Sequence, residues 1–147
     1  LVGIDGQGKM SKSLNNGIYL GDSEKDIKDK VMKMYTDPNH IRVEDPGQVE
    51  GNVVFKYLDI FDPRTDEVAE LKEHYSRGGL GDVKLKKRLN EVMQEFLRPI
   101  RERREEFAKD KAEVYNMLKA GSEKAESVAA STLDEVKDAM GINYFKK

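Results

Sequence analysis

From Asp82 onward, apolar residues fall at Leu85, Leu89, Val92, Met93, Phe96, Leu97 and Ile100, and the pattern runs on to Phe107. This spacing keeps one side of an α-helix apolar, and strand alternation cannot reproduce it. A helix of roughly 25 residues is about 38 Å long. An apolar stripe of that length has to be covered by other elements. Pro99 lies inside it, lacking an N–H and crowding the Glu95 carbonyl. The stripe continues past it, so a kink is predicted rather than an end.

The partners are also helical. Ser23, with Asp26 three residues on, forms a variant capping box, and Ile27, Val31, Met34 and Tyr35 follow on one stripe until Asp37-Pro38. Residues 39–50 have no period and read as a loop. From Asn52, the residues Val53, Val54, Tyr57, Leu58 and Phe61 mark a second helix that Asp62-Pro63 ends. Thr65 or Asp66 caps a third, carrying Val68, Leu71 and Tyr75 and broken by Gly78-Gly79-Leu80-Gly81. Asp82 is placed as the cap of the long helix. Val114, Met117 and Leu118 mark a shorter helix ended by Gly121. Ser122 opens a last one, striped by Ala125, Val128, Ala129, Thr132, Leu133, Val136 and Met140 and closed by Gly141. Its alanines, Ala130 included, permit close helix packing. Tyr57, Tyr75, Tyr115 and Phe107 all fall on apolar stripes and read as core.

The fold class is therefore mainly α, a bundle of some six helices over residues 23–147. Residues 1–22 read differently. Leu1-Val2-Gly3-Ile4 looks like the last strand of a separate α/β domain, and residues 5–16 like the loop after it. On this reading residue 1 is a truncation point inside a larger fold.

Several classes are set aside by what is missing. Without cysteine the chain has no disulfide framework and no thiolate site, and His40 and His74 stand too far apart in sequence to suggest zinc. No apolar run approaches the ~18 residues of a membrane span, and no signal-peptide pattern opens the chain, so a cytoplasmic protein is expected. The net charge of −2 hides one basic block, residues 82–111, which carries 10 Lys and Arg against 7 Asp and Glu. Alone, that excess does not identify a nucleic-acid binder.

The second informative stretch is Gly8-Lys9-Met10-Ser11-Lys12-Ser13, with Gly3 and Gly6 just upstream. Glycine permits close backbone approach to a ligand. Lysine ammonium groups act as point charges for phosphate, and serine hydroxyls and free N–H groups add donors. The segment lacks the spacing of a Walker loop, and a lysine-containing surface loop would share its chemistry. However, Lys9-Met10-Ser11-Lys12-Ser13 is identical to the signature loop of class I aminoacyl-tRNA synthetases. Downstream, Met34-Tyr35-Thr36-Asp37-Pro38 leading to Ile41-Arg42, then Leu97-Arg98-Pro99-Ile100-Arg101-Glu102-Arg103, and Ala139-Met140-Gly141 resemble the bacterial tryptophanyl members.

That resemblance implies a parent enzyme that activates tryptophan with ATP and passes it to tRNA(Trp). Lys9 and Lys12 would contact the triphosphate and stabilise charge on the leaving pyrophosphate. Met10, Ser11 and Ser13 would add backbone or hydroxyl contacts, and Mg2+ would accompany ATP without protein ligands of its own. The loop would close over ATP as a lid, and in this chain it is expected to be disordered or displaced. Residues 1–22 would end the catalytic domain, and 23–147 would bind the anticodon side of the tRNA. Lys84, Lys87, Arg88 and Arg98 lie opposite the apolar stripe with Arg101 nearby, and these are the phosphate-contact candidates. Glu91 and Glu95 interleave with them, as on an ordinary solvated face. The parent would be a homodimer through the catalytic domain, whose nucleotide-binding motif and tryptophan pocket do not occur here. The chain alone is expected to be inactive. Two other readings remain open: another class I synthetase, and a stand-alone helical module that binds RNA or protein.

Overall fold

The computed structural model describes residues 1–144. Five helices occur among them: α1 (Glu24–Met32), α2 (Val53–Phe61), α3 (Thr65–Arg77), α4 (Asp82–Ala108) and α5 (Lys111–Ala139). The chain divides into two compact units, Leu1–Glu102 and Arg103–Lys147.

The core of the first unit is built around α2. Val53, Val54, Phe55, Tyr57 and Leu58 are all buried. A helix buried on most of its circumference needs neighbours on every side, and Ile27 and Val31 of α1, Val68 and Tyr75 of α3, and Leu85, Leu89, Val92, Met93 and Leu97 of α4 complete the same cluster. From Leu85 to Leu97 the stripe on α4 does what its period predicts, Phe96 apart. Phe96 is 48% exposed and lies against Phe61, ring centroids 5.0 Å apart. Pro99 sits inside α4, and the helix continues through it.

Helix ends follow local chemistry where the sequence offers it. Ser23 accepts from the Asp26 N–H, and the Asp26 carboxylate accepts from the Ser23 N–H, so the capping box forms. Asn52 caps α2 by accepting from the Val54 N–H. Elsewhere tertiary contacts decide. α1 stops at Met32, ahead of Asp37-Pro38, and the Lys86 ammonium of α4 donates to the Met32 carbonyl at 3.2 Å. A cation on a terminal carbonyl suits a helix C-terminus. Neither Thr65 nor Asp66 caps α3; its N-cap position is Arg64, without a side-chain bond. Asp82 does not precede α4 as a cap. It is the first helical residue, and its carboxylate accepts instead from Thr36 Oγ1 at 3.0 Å and Tyr75 Oη at 2.8 Å.

Residues 1–4 form no strand. Among the described residues the only β-type pairing is a single antiparallel bridge between Val2 and Lys9. In the second unit the expected break at Gly121 is absent, and α5 runs straight through it. Gly121 does not adopt a positive φ, and a Cβ there would meet nothing within 4 Å, so nothing forces a stop. No residue of α5 is buried, and Val128, Leu133 and Val136 are 63%, 52% and 47% exposed. Tyr115 and Phe107, expected in the core, are 72% and 56% exposed. Periodicity gives α5 an apolar face, but none of its residues is buried.

Candidate functional site

The glycines upstream of the two lysines turn the chain back on itself. The Gly3 N–H donates to the Gly8 carbonyl, the Gly6 N–H to the Gly3 carbonyl, and the Met10 N–H to the Leu1 carbonyl. Gly6 has φ +74° and lies under the Tyr35 ring, where a Cβ would come within 3.0 Å. A side chain there would meet both backbone strain and an aromatic ring.

The loop then turns at Lys12–Asn15. The Asn15 N–H donates to the Lys12 carbonyl, and Asn15 takes φ 50°, a left-handed conformation that asparagine tolerates. The Ser11 and Ser13 hydroxyls are 2.8 Å apart. Asn16, only 4% exposed, closes the loop. Its Oδ1 accepts from the Ser11 N–H at 2.7 Å, and its Nδ2 donates to both oxygens of Asp5 at 3.2 and 3.0 Å. The Ile4 N–H donates to the Asn16 carbonyl at 2.8 Å. A disordered or displaced loop is the expectation from sequence; the chain here follows a defined, hydrogen-bonded path.

Lys9 and Lys12 lie on the exposed side of this loop. Neither ammonium has an ion pair or hydrogen bond among the described residues. Two unneutralised cations three residues apart on a braced loop can receive an anion without first breaking an internal contact. Met10 is half-buried: its Sδ lies 3.3 Å from where a Cβ on Gly17 would sit, so it anchors the loop by packing.

The base of the loop is attached to helical residues. Tyr57 Oη of α2 donates to the Val2 carbonyl at 2.7 Å, and the Tyr35 N–H to the Ile4 carbonyl at 2.8 Å. Burial pushes the Tyr57 hydroxyl up to about 12, so it remains a donor at neutral pH.

The basic face of α4 is less uniform than a helical wheel suggests. Lys84 and Lys87 are exposed, and with Arg77 and His74 they line a groove of about 760 Å³ between α3 and α4. Glu67, Glu70, Glu73 and Glu91 line the same groove, so its charge is mixed. Arg98 is exposed without a bonded partner among the described residues. Arg88 turns inward. Its Nε donates to Asp62 at 2.8 Å and its Nη2 to Glu67 at 2.5 Å. Arg101 donates to Glu24 at 3.1 Å, and its other terminal nitrogen is buried without a partner. The five candidates therefore separate into three free cations and two that already hold carboxylates. Among the described residues no group of three or more His, Asp or Glu could hold a metal, and no helix is long and apolar enough to cross a membrane.

Sequence reasoning missed two polar centres. One is Asn16 with Asp5, both of which fall in the stretch read only as a loop. The other is Asp82, which gathers Thr36, Tyr75 and, at 3.4 Å, His40 Nδ1. Burial, then the Asp82 contact, pushes the Tyr75 hydroxyl well above the usual phenol range.

Comparison with known proteins adds to this geometry. The family model described as tRNA synthetases class I (W and Y) matches residues 1–98. A tryptophan–tRNA ligase of Streptococcus agalactiae is 64% identical over 148 residues, and one of Streptococcus pneumoniae 63% over 147. Each alignment takes in 99% of this chain and 43% of the relative, so the chain spans less than half the length of these proteins. Among solved structures, tryptophanyl-tRNA synthetase from Campylobacter jejuni, complexed with ADP and tryptophan, superposes with a TM-score of 0.78 at 30% identity over 95% of this chain and 43% of that one. The Giardia lamblia tryptophanyl-tRNA synthetase gives 0.66 at 27% identity over 76% of this chain and 28% of its own.

Proposed function

Because the chain belongs to the class I tRNA synthetases of the tryptophan and tyrosine type, we propose that it supplies the ATP-phosphate loop and a tRNA-binding body to a tryptophan–tRNA ligase. The observation that carries this is the pair Lys9 and Lys12, exposed and partnerless on a loop that hydrogen bonds hold in place. In the proposed reaction the tryptophan carboxylate attacks the α-phosphate of ATP. Pyrophosphate leaves, and the aminoacyl group passes to the 3′ end of tRNA(Trp). Cations already aimed at the departing phosphates stabilise charge as it develops, an interaction that grows in the transition state. Mg2+ would arrive with the nucleotide. The Ser11 and Ser13 hydroxyls and the Met10 backbone are the remaining contacts offered to the triphosphate. Tryptophan is favoured over tyrosine by the names of the relatives above 60% identity.

Residues 1–22 act in this reading as the end of the catalytic domain, and 23–147 as the tRNA-binding part. Lys84, Lys87 and Arg98 are its free phosphate contacts; Arg88 and Arg101 contribute by holding the surface that carries them. The reading places the chain in the cytoplasm, within a parent that dimerises through its catalytic domain. The catalytic pocket lies outside these residues, so the chain alone gives no tryptophan-dependent ATP–pyrophosphate exchange.

The test is tRNA binding across a salt series. Each lost phosphate contact lowers the slope of log affinity against log salt by ~0.7 to 0.9. Lys84→Ala/Lys87→Ala should therefore lower it by about 1.5, with tRNA(Trp) bound in preference to other tRNAs. An unchanged slope removes those lysines from the interface. Equal binding of all tRNAs removes the specificity.

A further inference from the structure

Backbone bonds hold the base of the loop bearing Lys9 and Lys12, and between the two lysines a single side chain holds it at Ser11. Asn16 is almost fully buried, and both ends of its side-chain amide are bonded to loop residues. Its carboxamide accepts from the Ser11 N–H on one side and donates to the Asp5 carboxylate on the other. The orientation of the amide is set by its partners, because reversing it would put oxygen against carboxylate and N–H against N–H. Asp5 also accepts from the Gln7 N–H at 3.2 Å, which ties the upstream turn to the same carboxylate. A Cβ on Gly3 would lie 2.3 Å from Asn16 Nδ2 and 2.7 Å from Asp5 Oδ1, so only glycine leaves room for this pairing. Ser11 stands between the two lysines in sequence. Fixing its amide fixes the backbone from which both ammonium groups project.

We propose that Asn16, braced by Asp5, is the positioning residue of the ATP-phosphate loop: it holds the Ser11 backbone so that Lys9 and Lys12 converge on one triphosphate. This rests on the phosphate-loop reading above. Asn16 does not touch the nucleotide. It acts through Ser11, and its contribution is the pre-organisation of two flexible cations.

The geometry offers a sharp exchange. Asn16→Asp sets a carboxylate against Asp5 and removes the donor. Adding Asp5→Asn restores a donor–acceptor pair with the roles reversed and keeps an acceptor for the Ser11 N–H. The experiment measures ATP binding to the chain by amide NMR, with Ser11 hydrogen exchange and the urea midpoint on the same samples. For Asn16→Asp we expect the ATP dissociation constant to rise about tenfold, equivalent to ~1.4 kcal/mol, with faster Ser11 exchange. The double variant should return to within about threefold of the parent. Asp5→Ala, which keeps Asn16 on Ser11 but removes the brace, should weaken ATP about threefold and supplies the result if Asn16→Asp fails to fold. Unaltered ATP binding in both single variants, or a double variant no better than Asn16→Asp, overturns the proposal. If the parent chain shows no ATP-dependent shift at Lys9 and Lys12, the phosphate reading fails and takes the proposal with it. Unaltered Ser11 exchange in a folded Asn16→Asp chain sinks the proposal alone.

Discussion

Arg88→Ala should destabilise the first unit more than any other change on the basic face of α4. The Asp62 side chain is fully buried, and its two oxygens are held separately: Oδ1 by Arg64 Nε at 2.9 Å and the Arg64 N–H at 3.1 Å, Oδ2 by Arg88 Nε at 2.8 Å. Burial alone would push the Asp62 carboxyl up. The bonds from Arg88 and Arg64 outweigh it and hold the group below the usual carboxylate range. Removing Arg88 leaves Oδ2 buried with no donor and frees Glu67. Breaking one side of a buried ion pair costs about 3–5 kcal/mol. Since Arg64 still serves Oδ1, the lower end applies, about 3 kcal/mol. With a urea m-value of about 1.5 kcal/mol/M for a unit of this size, the midpoint should fall by about 2 M by far-UV circular dichroism. Arg88→Lys keeps the charge but cannot fork between Asp62 and Glu67, so it should recover only part of the loss. A cost below about 0.5 kcal/mol, typical of an exposed pair, would refute the reasoning. If that result came with a smaller salt slope for tRNA, Arg88 would be a phosphate contact after all.

Three further outcomes follow from the packing. Asp62 has a depressed carboxyl, so its stabilisation is complete above the unfolded value near pH 4 and lost as pH falls through the lower folded value; urea midpoints at pH 7 and pH 3 should differ less in Arg88→Ala than in the parent, and an equal difference contradicts the assignment. Tyr57 and Tyr75 have raised hydroxyls, so their stabilisation is complete below about pH 10 and lost as pH rises towards their folded values; of six tyrosines, these two should form phenolate last and together with loss of helical signal, which ionisation before unfolding would contradict. Gly47→Ala would place a Cβ 2.3 Å from the Tyr75 ring, itself wedged between His40 and Phe55 at centroid distances of 4.6 and 5.3 Å; overpacking of this kind should cost about 2–3 kcal/mol, and a neutral result would mean that the ring can move.

What could be read from sequence was what local periodicity controls. The α4 stripe, the Ser23 capping box and the stops at Asp62-Pro63 and Gly78 depend on residues within a turn or two, and the fold class followed from them. The failures share a different cause. A stripe gives the direction of an apolar face, not whether anything covers it, so Phe107, Tyr115 and the apolar face of α5 were assigned to a core they do not enter. Asp82 has the right residue type for a cap, but Thr36 and Tyr75 claim its carboxylate from other elements. Arg88 lies on the polar side of a wheel, yet Asp62 and Glu67 approach from outside α4. In the loop, the motif is the signal on which the proposed phosphate chemistry rests. Asn16 reads as one more loop residue because its partners, Asp5 and Ser11, meet it only after the chain folds back.

That fold-back bears on how the loop could move. Its base is fixed: Val2 is held by Tyr57, and Ile4 by both Tyr35 and Asn16. The Val53 N–H donates to the Tyr35 carbonyl, which extends the link into α2. Closure over a nucleotide therefore cannot be a swing of residues 1–4, because that would break contacts with the buried face of α2. The tip is different. Gly8 has open space where a Cβ would sit, and Lys12, Ser13 and Leu14 are exposed. Any lid motion is confined to residues 5–15, and the Asn16–Ser11 bond divides even that span. Residues 12–15 can adjust while Ser11 stays fixed. On the proposed phosphate reading, Lys12 would follow a phosphate as it departs, while Lys9, itself bridged to Val2, would stay where the nucleotide first met it. The two lysines are alike in sequence, and the structure attaches them differently.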